Sequence, residues 1–260
     1  MNRVRKVLLS LLGEKKYLSL LASTFQRVYK TGILGHDYQD IYFLKEFIRE
    51  GDYCVDIGAH LGYFTLELSR LVKNSGRIYA IEPMSKFYEA LGGMIREKNI
   101  SNVDLRQLAM GGDSDWVEMG IPQVGNMKKF AYARVMESNT YLQYVESEKV
   151  KNAKGDELFA ALPKLDFIKC DVEGLELSVF AGLRETLERH RPVLLCELGN
   201  RNDRIQLLDM LRPLGYQTYY LDQKRLLPLD VLSDVQPISH NHYFIPASRM
   251  DRFQRIIFAN

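Results

Sequence analysis

The stretch from Val55 to Arg70, VDIGAHLGYFTLELSR, constrains the fold more than any other part of the chain. A short apolar run, Tyr53 to Ile57, leads into it and reads as a buried strand. From Phe64 to Val72 the apolar residues recur at helical spacing. The turn between strand and helix must be tight, which suits Gly58 and Gly62. A helix that opens there presents unpaired backbone N–H groups to a ligand. Strand, glycine turn and helix together read as a nucleotide-type binding turn.

From Asp52 onward, apolar runs alternate with helical patterns, as in a mostly parallel sheet with crossover helices. The strands are expected at 53–57, 77–81, 103–108, 165–170, 193–198, 217–221 and 242–245. The helices are expected at 63–72, 87–98, 175–190 and 204–214, with Pro192 ending the third and Gly215 following the fourth. Residues 115–155 break the alternation. Asp115 to Pro122 reads as an extra strand, and the polar stretch after it reads as hairpin and loop. Long insertions at the ligand edge of such a sheet carry substrate contacts or are purely structural. The expected organisation is a helical arm over 1–50 and one ligand-binding domain over 51–260.

The chain has 260 residues, 46% hydrophobic and 26% charged, and its net charge of +2 balances 35 basic against 33 acidic residues. This near balance gives no electrostatic case for a nucleic-acid binder. Cys54, Cys170 and Cys196 each lie in an apolar run, without metal-ligand spacing, so reduced thiols and a cytoplasmic location are expected. The first 30 residues differ: seven are Lys or Arg and Glu14 alone is acidic. Val4, Val7, Leu8, Leu11, Leu18, Leu21, Phe25 and Val28 fall at helical spacing. The apolar run from Val7 to Leu12 is too short to span a membrane, and no small-residue cleavage site follows it. An uncleaved basic amphipathic helix packed on the domain is expected, with weak membrane-surface contact or a substrate lid as its other readings.

The turn selects among nucleotides. An acid at the end of the second strand binds ribose hydroxyls in such folds, and YAIEP supplies Glu82 there. A nicotinamide dinucleotide would favour G-x-G-x-x-G, whereas D-I-G-A-H-L-G puts Asp56 where an anionic pyrophosphate would be repelled. S-adenosylmethionine has no phosphate and carries an ammonium and a sulfonium, so an acid suits it better.

VDIGAHLGYFT, GRIYAIEP and above all LDFIKCDVEGLELSVFAG resemble the FkbM family of S-adenosylmethionine-dependent methyltransferases, over roughly residues 50 to 200 and more weakly at NHYFIP. The resemblance implies the class I methyltransferase (Rossmann-like) α/β fold: a seven-stranded, mostly parallel sheet with its last strand antiparallel and helices on both faces. It implies O-methylation of hydroxyls on small molecules, sugars or glycans, with S-adenosylmethionine as cofactor. Carried over by motif, Asp56, Gly58, Ala59 and Gly62 line the methionine end, with His60, Tyr63 and Pro83 beside the cofactor. Glu82 binds the ribose, Ala109 and Met110 border the adenine, and Asp171 closes the pocket. His60 stands where the family often has Asn, so it either stabilises the turn or titrates near the substrate.

The end of the fourth strand faces the reacting methyl in this fold, and here it reads DVEG. It lacks the Asp/Asn-Pro-Pro-aromatic motif of nucleobase amino methylation. Cys170, the thiol that C5 methylation would need, is turned away from Asp171 by strand alternation. Oxygen is the remaining simple acceptor. Asp171, Glu173 and His60 are the candidate catalytic residues, Glu173 as orienter or base for the hydroxyl; in the first turn of a helix it would be only a favourable charge. No resident metal is expected, and a cation held by Asp171 and Glu197 is the alternative mechanism. His240 and His242 are candidate substrate residues or surface histidines. A nicotinamide-dependent oxidoreductase and a non-enzymatic cofactor-binding scaffold are the competing functions.

Overall fold

A computed structural model describes residues 2–29, 38–124, 127–128, 130–136, 143–229 and 240–257. Helix α1 (Asn2–Tyr29) bears out the helical arm, with a break at Gly13, whose φ of 71° and ψ of 163° are not helical. Tyr17, Leu18, Ala22, Phe25 and Tyr29 bury the second half of α1 against the domain. The buried face therefore follows 18-22-25-29 spacing, whereas Leu21 on the expected stripe is exposed. Tyr29 donates a hydrogen bond to the buried Glu67, whose carboxylate also accepts from Arg70. The short α2 (Gln39–Phe43) is pinned by Asp40, which accepts from Asn241 and Tyr243 at 2.8 and 2.7 Å.

The first half of the core follows the expected order: β1 (Tyr53–Ile57), α3 (Tyr63–Val72), β2 (Arg77–Ile81), α4 (Ser85–Glu97) and β3 (Val103–Arg106). Alternation along β1 sends Val55 and Ile57 to one sheet face and Cys54 to the other, so β1 contributes to two separate apolar clusters.

The insertion is a second sheet. It comprises β4 (Ala109–Met110), β5 (Trp116–Val124), β6 (Met127–Lys128), β7 (Arg134–Val135) and β8 (Gln143–Ala153), in the order β4-β8-β5-β6 with β7 paired to β5. The extra strand at β5 was expected; the long antiparallel partner β8 replaces much of the expected loop. The sheet is anchored to the core where β4 runs parallel to the end of β8. The buried Asn152 amide there donates to the carbonyls of Gly111 and Ser114.

After α5 (Gly155–Phe159) come β9 (Phe167–Cys170), α6 (Glu176–Ala181), α7 (Arg184–His190), β10 (Val193–Glu197), α8 (Arg201–Leu211), β11 (Tyr216–Asp222), β12 (Arg225–Pro228), β13 (Asn241–Pro246) and α9 (Gln254–Ile257). The single helix expected at 175–190 is two. Asp156 is the physical reason: its N–H donates to the Gly182 carbonyl at 2.8 Å. Its carboxylate accepts from the Glu185 and Thr186 N–H groups, capping α7 as a separate helix. Asn200 caps α8, accepting from Asp203 N–H at 2.9 Å.

The main sheet runs β12-β11-β13-β10-β9-β1-β2-β3. β13 is antiparallel to both β10 and β11. This is the expected mostly parallel class I architecture with one more strand than the expected seven. β12 is the addition, folded back on β11 through Gln223 and Lys224, which take positive φ of 47° and 82° as a tight hairpin requires. Cys54, Cys170 and Cys196 are buried and free in β1, β9 and β10. Among the described residues no helix is long and apolar enough to cross a membrane.

Candidate active site

The carboxyl ends of β1, β2 and β9 meet at a cavity of about 220 Å³. The strand order reverses at β1, and open α/β sheets bind ligands at such switch points. After β1 the chain turns with positive φ at Gly58 (77°), His60 (49°) and Gly62 (80°). The N–H groups of Gly58 and Ala59 both donate to the Ile81 carbonyl at 3.0 Å, tying this turn to the end of β2. A Cβ on Gly58 would collide with the Asp171 carbonyl oxygen, so this glycine is where the loops after β1 and β9 touch. A Cβ on Gly62 would run into Leu91 on α4.

Glu82 lines the cavity at the end of β2 and is only 4% exposed. Its carboxylate accepts from the His60 N–H at 2.7 Å and the Met84 N–H at 2.9 Å. Each oxygen keeps lone-pair capacity toward the cavity. Burial pushes Glu82 up to about 7, against the pull of the two N–H groups.

Asp56, expected at the methionine end, lies one layer behind the wall. It is fully buried, accepts from the Thr65 hydroxyl at 2.5 Å, and stands 3.8 Å from the ammonium of Lys169. Its other oxygen, Oδ1, is buried without a hydrogen-bond partner. Burial pushes the Asp56 carboxyl up. Gly62 also lies outside the lining, whereas Gly58, Ala59, His60, Tyr63, Pro83, Ala109 and Met110 line the cavity together with Glu82 and Asp171.

Sequence reasoning missed Lys169. It sits in β9 directly across from Asp56 and is 6% exposed. Its ammonium donates to the Gly58 carbonyl at 3.1 Å and lies 3.2 Å from Asp171 Oδ2. Burial disfavours its charge, but Asp171 and Asp56 outweigh that and hold it above the ordinary lysine value. The signal was present: one lysine in an otherwise apolar strand, two residues before an acid.

The loop after β9 gathers carboxylates. Glu173 lines the cavity with a left-handed φ of 60°, outside any helix, and Arg134 of β7 reaches it at 2.9 Å. The helix-turn reading of Glu173 is therefore set aside, since α6 starts at Glu176. Burial, then the charges of Asp171 and Glu197, push Glu173 up to about 7. Burial, then Asp171, push Glu197 up to about 7 as well, although Glu197 stays outside the lining. Glu176, also missed, accepts from Val172 and Gly174 N–H groups and fixes the loop. Among the described residues no group of three or more His, Cys, Asp and Glu side chains is gathered to hold a metal.

His60 packs its ring 4.1 Å from that of Phe87, and its Nε2 is buried without a partner. Burial and the Lys169 charge push it down to about 4, so its imidazole is neutral near pH 7. The insertion supplies the opposite wall through Met119, Phe130, Ala133 and Val135. The two remaining candidate histidines are elsewhere: His240 is exposed, and His242 is fully buried in β13 with Arg204 3.4 Å from its Nε2.

This donor set fits S-adenosylmethionine. The Glu82 carboxylate suits a diol, the carboxylates of Glu82, Asp171 and Glu173 suit a cationic ligand, and the apolar Leu108, Ala109 and Met110 suit a purine. No curated protein matches the chain significantly in sequence. A crystal structure of the methyltransferase FkbM from Methylobacillus flagellatus matches over 92% of this chain and 57% of its own, at 19% identity and a TM-score of 0.53. An S-adenosylmethionine-dependent O-methyltransferase from Thermotoga maritima matches over 79% and 63%, at 14% identity and a TM-score of 0.41. The chain thus spans less than two thirds of the length of either structure, and the likeness to the first is one of fold. The methyltransferase FkbM domain model matches residues 56–224, from the acid behind the glycine turn to the β11–β12 hairpin. With the glycine turn and the DVEG loop both inside that span, the chain belongs to the FkbM family of methyltransferases, whose methyl donor is S-adenosylmethionine.

Proposed function

We propose that the protein methylates oxygen, on a hydroxyl of a small molecule, sugar or glycan, with Glu173 as the base. The observation that carries this reading is Glu173 itself: a cavity-lining carboxylate pushed up to about 7, on backbone held left-handed beside Asp171. A non-glycine residue in that conformation is uncommon and clusters at functional sites. A carboxylate with a pKa near 7 is well matched to taking a hydroxyl proton at neutral pH.

S-adenosylmethionine supplies an electrophilic methyl carbon on a sulfonium and leaves as a thioether. Glu82 would hold its ribose diol, the Gly58–Ala59–His60 turn its methionine end, and Ala109 and Met110 its adenine. Lys169 holds Asp171 in place through the 3.2 Å ion pair. Asp171 then positions cofactor or acceptor. Arg134 fixes the Glu173 carboxylate, which accepts the hydroxyl proton as the oxygen–carbon bond forms. His60, neutral near pH 7, contributes turn geometry through its N–H rather than charge.

The test is Glu173→Gln, assayed for methyl transfer to hydroxyl acceptors with and without a chelator. Turnover is expected to fall by about 10²–10⁴-fold with S-adenosylhomocysteine affinity kept. Near-normal turnover removes the base assignment. Loss of wild-type activity to a chelator, restored by a divalent cation, replaces it with a metal mechanism.

A further inference from the structure

Among the described residues, the large hydrophobic side chains that stand exposed all belong to α1 or to the insertion. The most exposed lie on the outer half of α1, before the Gly13 break: Val4 at 67%, Val7 at 55% and Leu11 at 76%. Their i, i+3, i+7 spacing puts them on one arc of the helix. Leu8 and Leu9 pack toward the domain beside the cluster that includes Tyr17 and Leu18, so the arc faces away from it.

Charge identifies the occupant. Before the break the helix carries Arg3, Arg5 and Lys6 and no acidic residue; beyond it stand Glu14, Lys16 and Lys15, the last paired with Glu89 of α4 at 2.7 Å. The Glu14 carboxylate is already engaged by Lys86 of α4 and Lys128 of β6, which Glu146 of β8 also bridges. The outer helix is thus apolar on one arc and strongly basic in sequence. A second copy of this chain would bring like charges together along such a seam. An anionic bilayer satisfies both properties, because it buries the apolar arc and attracts the basic residues.

We propose that the outer half of α1 docks in the plane of an anionic lipid surface. The four-residue ion cluster joins this helix to the insertion, and Lys86 lies 5.5 Å over the ring of Phe130, which lines the cavity. Docking therefore orients the whole protein and is not the capture of a loose tail. The inference stands apart from the identity of the acceptor and from the role of Glu173.

The test is flotation of the full chain with neutral phosphatidylcholine vesicles and with vesicles containing about one third phosphatidylglycerol. Binding to the anionic vesicles is expected, at least tenfold weaker to neutral ones, and released by high salt. The variant Val4→Ser/Val7→Ser/Leu11→Ser is expected to bind about tenfold or more weakly. Arg3→Gln/Arg5→Gln/Lys6→Gln is expected to lose about a hundredfold on anionic vesicles alone. Calorimetric binding of S-adenosylhomocysteine, unchanged in both variants, reports an intact fold. Absence of flotation with anionic vesicles, or equal flotation by folded variants, overturns the proposal. So does sedimentation showing a wild-type dimer that the serine variant converts to monomer, which would assign the arc to a second copy.

Discussion

The two walls of the cavity are built from different materials. One wall, from the ends of β1 and β2, is made by backbone: positive-φ turns, N–H groups aimed at one buried carboxylate, and a glycine with no room for a Cβ. The other, from the insertion, is made by side chains: Met119, Phe130, Ala133 and Val135. Ion pairs hold that wall, Arg134 to Glu173 and the Lys86–Glu14–Glu146–Lys128 cluster. A backbone wall accepts one shape and transmits any change directly to the loop after β9. A side-chain wall can be recut residue by residue without disturbing the sheet beneath it. The proposed function sets the cofactor against the first wall and the acceptor against the second.

The sharpest break in this contrast is Gly58→Ala. It forces a Cβ into the Asp171 carbonyl at a φ of 77°, and strain plus overpacking should cost about 2–5 kcal/mol. Urea denaturation measures it, and a loss under about 1 kcal/mol would show that the wall yields. Glu82→Ala comes next. It strips both backbone N–H groups of their acceptor and removes the proposed ribose partner, so S-adenosylhomocysteine affinity should fall tenfold or more by calorimetry. The same buried carboxyl has a pH signature. Its folded pKa, about 7, exceeds the ordinary 4.5, so the folded state holds the proton more tightly. Glu82 therefore favours folding at low pH, and this contribution is lost as pH rises from about 4.5 to about 7. Denaturation across that range should show a steeper loss in wild type than in Glu82→Gln, the remainder coming from Glu173 and Glu197, which are also raised to about 7.

On the other wall, effects should be graded. Arg134→Met removes the cation beside Glu173, which lowers the pKa of that carboxyl. The rising limb of the turnover profile should move to higher pH with little change in cofactor affinity. A limb that stays in place would separate Arg134 from the base. The smallest effect is the control for the glycine argument. Gly93→Ala in α4 meets nothing within 4 Å and should stabilise by about 0.5–1 kcal/mol.

The same division explains what could be read from the residues alone. β1, α3 and β2 run over the ranges their periodicity predicts, because strand and helix periods there are set by burial on a regular sheet. Gly58, Glu82 and the DVEG loop were legible because backbone geometry demands particular residue types at fixed spacing. Lys169 was not singled out, since its role depends on a partner brought together by the fold: Asp56 lies across a strand pair 113 residues away in sequence. Arg134 was hidden for the same reason, because nothing near it in sequence marks the contact with Glu173. β12 escaped because its hairpin turns on Gln223 and Lys224 instead of the Asn-Gly or Asp-Gly that signals such a turn. Asp56, expected beside the cofactor, is turned by alternation along β1 toward Thr65 and Lys169 behind the wall, a placement its motif position does not reveal.

The position of β13 sets the order of synthesis against the order of assembly. It follows every other strand in the chain, yet it sits between β10 and β11, hydrogen-bonded to both. While a ribosome delivers the chain from its N-terminus, the β11–β12 hairpin has no edge to join until residues 241–246 have emerged. A nascent protein can pair β1, β2, β3, β9 and β10, but it carries β10 as an open apolar edge until the last strand slots in. Completion of the sheet is therefore expected as a late, non-local and slow event, and the half-made sheet is the species a chaperone would meet.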